Sequence, residues 1–123
     1  MKNIYSLILV LPIFLASCDF GVVGNGKVES KDKEIDRFTE LVVEGNFDVF
    51  LKQDKRSTLR IEADENLHDI IRVRQSGDRL YIESTENIVR AKKKSLYLTC
   101  RDLEKVELTG AVDLETEAPI EVR

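Results

Sequence analysis

The run Phe38-x-x-Leu41-x-Val43-x-Gly45-x-Phe47-Asp48-Val49 returns 65 residues later as Leu103-x-x-Val106-x-Leu108-x-Gly110-x-Val112-Asp113-Leu114. Apolar residues at every second position describe strands with one buried face. A glycine in the middle of such a run marks a place where the backbone turns or is closely approached. Gly45 and Gly110 are therefore expected as structural corners. Two such runs in register predict stacked β coils, each burying its face on the next. At roughly 20–25 residues per coil, about three coils would fill the interval. Asp48 and Asp113 alternate with the apolar positions and are expected at the surface, as solvated groups or turn acceptors.

The rest of the chain reads in the same period. Candidate strands cover 40–44, 46–52, 58–63, 71–75, 79–84, 95–100, 105–109 and 112–116, with Gly, Asp and Ser between several of them. Only 64–69 suggests a helical turn, with Asp64 placed to cap it. The fold class expected is all-β, a solenoid-like stack of short strands with glycine corners.

The first residues do not belong to that fold. Lys2, an apolar run from Ile4 to Phe14 and the close Leu15-Ala16-Ser17-Cys18 read as a leader over 1–17. The run is too short to span a bilayer, which takes about 20 apolar residues. Small residues before a cysteine predict cleavage there and lipid on Cys18, which would make the membrane a partner through that anchor. Residues 18–34 contain Gly21, Gly24 and Gly26 among polar residues and are expected as a flexible tether. The β domain is then 35–123.

Charge and reactive groups narrow the function. The chain carries 19 Lys/Arg against 23 Asp/Glu, a net charge of −4 in mixed order. That balance, together with export, excludes nucleic acid as a partner. Cys100 lies on the side of Leu96 and Leu98 and is expected as a small buried hydrophobe. His68 is the one histidine, expected exposed in its turn, so neither a metal site nor a His-based triad can be assembled. No catalytic residue, metal or cofactor is expected. Arg90, Lys92, Lys93 and Lys94 form the strongest charge cluster. They read as a solvated loop, or as a contact for anionic glycan or headgroups.

With these residues in view the chain resembles the bacterial family described as putative auto-transporter adhesin, head GIN domain. The resemblance runs from about Gly24 onward. It is carried by Gly24-Asn25-Gly26-Lys27-Val28, the two glycine-centred runs, and Glu62-Ala63-Asp64-Glu65-Asn66-Leu67. It implies a right-handed β-helix-like fold and an envelope lipoprotein, outer-membrane, periplasmic or surface-facing, with no catalytic residues to transfer. The expected function is a non-catalytic binding or adhesion module contacting glycan or other envelope proteins. The alternatives are a carbohydrate-active β-helix enzyme on acidic polysaccharide and a purely structural lipoprotein. Members continue through further glycine-cornered strands, whereas Ile120-Glu121-Val122-Arg123 reads as a strand interior. A truncated N-terminal portion is therefore expected.

Overall fold

The computed structural model describes residues 21–117. The leader, Cys18 and the closing run 120–123 lie outside the described residues. The elements in order are β1 (Val22–Val23), β2 (Val28–Lys33), β3 (Glu40–Gln53), β4 (Thr58–Asp64), a 3₁₀ turn (Glu65–Ile70), β5 (Ile71–Ser76), β6 (Arg79–Ser84), β7 (Ile88–Arg90), β8 (Lys94–Cys100) and β9 (Lys105–Thr116).

The runs on either side of each glycine, expected as separate strands, are joined. In β3, Leu41, Val43, Phe47, Val49 and Leu51 are all buried, so the alternation passes through Gly45 unbroken. Gly45 has φ 138° and Gly110 φ 94°, both in the region that favours glycine. The space is as restrictive as the backbone. A Cβ on Gly110 would lie 2.5 Å from the Gly45 carbonyl oxygen, and one on Gly45 would lie 2.7 Å from Ser84 Oγ.

The repeat turns out to be a pair of neighbours. β9 lies parallel to β3 from Glu40↔Lys105 to Leu51↔Thr116, with Gly45 opposite Gly110. No coil stands between them, which corrects the expected three. The intervening chain instead occupies the other edge of β3. There β6 pairs in parallel with 40–44 and β8 in parallel with 48–53. β5 and β4 flank β6 and β8 antiparallel, and β2 adds antiparallel to β4. The outcome is an all-β, seven-stranded sheet curled into a half-barrel. Evenly wound coils would need every strand parallel, and β4 and β5 double back instead.

The concave side holds the core. Phe38, Leu41, Phe47, Leu59, Leu67, Leu80 and Leu96 are 0–1% exposed. Burying each such side chain stabilises the fold by about 2–3 kcal/mol before entropy is counted. Cys100 is a free thiol inside this core, as expected.

Residues 22–33, expected as part of the tether, are instead built into the fold. β2 pairs with β4 over six residues, and β1 pairs with β7. All six residues of β2 are exposed, so no alternation marked the strand.

Candidate functional site

Asp64 organises the end of β4, though not as a helix cap. Its side chain makes no cap hydrogen bond to the 3₁₀ turn. The buried carboxylate instead accepts the backbone N–H groups of Gly26 at 2.9 Å, Lys92 at 3.1 Å and Lys93 at 2.8 Å. Burial works to raise its pKa, but these donors outweigh it and hold the carboxyl below its ordinary value. Gly24 lies so close that any side chain there would meet the carboxylate. Around this knot Asn25 N–H donates to Asn66 Oδ1, Asn25 Nδ2 to Glu65 Oε1, and Asn66 Nδ2 to the Val23 carbonyl. Two of the short motifs that carried the resemblance are thus the two halves of one contact. His68 joins the same region, buried with Nε2 at 2.9 Å from the Glu29 carbonyl. The expectation of an exposed turn histidine is corrected: β2 covers it.

The basic cluster is divided by the fold. Lys93 Nζ lies 3.5 Å from Glu62 and Lys94 Nζ 3.4 Å from Asp48. Lys93 is also held above its ordinary pKa, first by the Tyr97 phenol oxygen and then by Glu62. Arg90 and Lys92 are exposed and make no ion pair among the described residues. Within the cluster, Lys93 and Lys94 are thus paired with carboxylates of neighbouring strands and Arg90 and Lys92 are not.

The convex face carries cross-strand ladders. Tyr97 and Phe50 are register partners, with rings stacked 5.0 Å apart at 14°. The Arg60 guanidinium caps the other side of Tyr97 at 4.9 Å. On the neighbouring half of the sheet, Arg74 lies over the Tyr81 ring and Arg79 pairs with Glu40 at 2.7 Å. Such stacked rows add about 0.5–1.5 kcal/mol per aromatic contact and fix side-chain direction.

Where β3, β8 and β9 finish and β4 begins, the sheet opens into a groove of about 1240 Å³. Phe50, Tyr97 and Arg60 line it, as do Thr58 and Thr99, whose hydroxyls bond at 2.6 Å. The segment 32–36 borders it, pinned by Gln75, which receives the Asp36 N–H at 3.0 Å and donates to the Asp36 carbonyl at 2.8 Å. Sequence reading missed this groove. The signal available was the outward parity of Phe50 and Tyr97, two aromatics on the side of their strands that should face water. Among the described residues no group of three or more His, Cys, Asp or Glu is placed to hold a metal, and no helix is long and apolar enough to cross a membrane.

A bent-strand sheet in glycine register, with aromatic and charged ladders outside and a groove at its end, defines an all-β half-barrel module. The match of residues 37–123 to the family model makes this chain a member of the family described as putative auto-transporter adhesin, head GIN domain. Solved structures share the fold. A putative adhesin from Parabacteroides merdae superposes with TM-score 0.71 at 24% identity, over 80% of this chain and 42% of that one. A structure described as a putative lipid binding protein, from Parabacteroides distasonis, gives 0.71 at 22%, over 77% and 43%. A putative adhesin from Bacteroides fragilis gives 0.74 at 17%, over 81% and 48%. The chain thus spans less than half the length of these structures. No curated protein matches it.

Proposed function

We propose that this chain is a lipid-anchored envelope protein whose β module binds its target without transforming it. The observation that carries the reading is the groove, assembled from residues of six strands and bordered by a pinned segment. The ladders hold its side chains in fixed directions, which lowers the entropy cost of binding. Family membership and the adhesin neighbours point the same way. The anchor is Cys18, and the parallel layers β6/β8, β3 and β9 are read as the start of a right-handed coil. Arg90 and Lys92 are the part of the basic loop left to meet anionic surfaces.

Fractionation of cells making wild-type chain and Cys18→Ser tests the anchor. Wild type is expected in the membrane fraction, and the variant released from it or left uncleaved without lipid. A Cys18→Ser chain that is still processed and membrane-bound would overturn the anchor. Purified protein incubated with envelope extracts and polysaccharides is expected to retain ligand without producing fragments. Steady turnover of an acidic polysaccharide would replace the reading with the enzymatic one.

A further inference from the structure

We infer that the groove at the strand ends takes a neutral, hydroxyl-rich chain, an oligosaccharide of uncharged sugars. This rests on reading the module as a binder and names what it binds. Three properties of the lining select this class.

The first is a closed floor. Leu51, Leu59 and Leu98 border the groove but are only 1–2% exposed, because they are spent on the core. What apolar surface the groove offers comes from Ile35, Phe50 and Tyr97 and is interleaved with polar groups, so an acyl chain, whose binding free energy scales with apolar area taken from water, finds no continuous aliphatic trough. The second is charge. Asp32, Asp36 and Glu115 stand among Lys33, Arg56 and Arg60 around the rim. A polyanion would meet carboxylates along its whole length, at a cost that like charges impose even when partly screened. A sugar hydroxyl both donates and accepts, so alternating carboxylates and cations can satisfy it from either side.

The third is the wall. Phe50 and Tyr97 are held upright by their own stacking, with Arg60 closing the row. With both faces of Tyr97 covered, the row presents ring edges beside polar groups, a narrow apolar strip along which a pyranose can lay its C–H groups while its hydroxyls reach the rim. The volume exceeds the 300–1,000 Å³ or so typical of a single small-molecule pocket, room for several sugar units.

The test is calorimetry on the full lipidated chain in a detergent without a sugar headgroup. Cellohexaose, maltohexaose and mannohexaose are titrated, with polygalacturonate and phosphatidylcholine vesicles as contrasts. At least one neutral hexasaccharide is expected to bind. Phe50→Ala and Glu115→Gln are each expected to weaken it by about fivefold or more, the change a lost contact of roughly 1 kcal/mol produces. Should Phe50→Ala fail to fold, Glu115→Gln and Asp32→Asn, at exposed positions, carry the test alone. Binding of polygalacturonate or vesicles in preference to every neutral sugar would overturn the inference. So would neutral-sugar binding that ignores the groove variants. If no sugar binds while the chain still retains material from envelope extracts, the groove assignment falls and the binding module stands. If nothing is retained at all, both fall.

Discussion

Asp64 is a buried charge that pairs with no cation among the described residues, satisfied by three backbone N–H groups from two distant segments. Removing the charge while keeping the shape, as in Asp64→Asn, forces an amide N–H₂ toward those donors and is expected to cost about 2 kcal/mol. The pH dependence follows from its lowered pKa. A carboxyl depressed in the folded state binds fewer protons there than in the unfolded chain, so its contribution is full above the unfolded pKa near 3.8. It is lost as pH falls through the lower folded value. Thermal melts of wild type and Asp64→Asn should therefore differ most at neutral pH and converge below about pH 4. A gap that persists unchanged into acid would contradict this assignment. Glycines make a second contrast at the same scale. Gly110→Ala must both adopt positive φ and displace the Gly45 carbonyl, for a loss above about 2 kcal/mol. Gly77 also has positive φ but open space around a Cβ, so Gly77→Ala should cost about 1 kcal/mol.

Strands were the most legible elements, because a half-buried strand writes its burial into every second residue. β6 has the bounds that alternation predicted, and β4, β5 and β8 each differ by one residue at one end. β3 and β9 were each divided in the sequence reading, since a glycine between apolar pairs looks the same whether a strand bends or stops. β2 was invisible for the opposite reason: both its faces are wet. Period-2 patterning also says which face of a strand is buried but not which edge finds a partner. That is why the 65-residue repeat was legible while its meaning, direct adjacency, was not. The candidate site was harder still. The Asp64 knot joins positions 38 and 28 residues apart, and the groove draws on side chains whose only shared property is lying near strand ends. Element-scale energetics can be checked on Phe50, Tyr97 and Arg60. A double-mutant cycle on Phe50→Leu and Tyr97→Leu is expected to give a coupling of about 0.5–1.5 kcal/mol, measured by denaturant unfolding. Coupling near zero would mean the rings do not stack in solution.

At the scale of the whole molecule, β3 is the pivot. It carries β9 along one edge and both β6 and β8 along the other, so its inward residues sit at the centre of the core. Phe47→Ala should therefore cost about 3–5 kcal/mol, more than truncation of Leu114, which is 37% exposed on β9. The same pivot sets Phe50 beside both Tyr97 and Glu115, so the groove depends on the register of β3 and β9. That register is most directly tested by oxidative cross-linking of a Val42→Cys/Glu107→Cys double variant, with peptide mapping by mass spectrometry. The two positions are partners across adjacent strands, within the roughly 4.4–6.8 Å Cα separation that a disulfide spans. A high yield of the 42–107 bridge is expected, and little from a Val42→Cys/Val112→Cys control. If coils intervened between the repeats, the strands would stand about 14 Å or more apart at roughly 4.8 Å per layer. No bridge at 42–107, or preferential bridging in the control, would contradict the fold and the groove built on it.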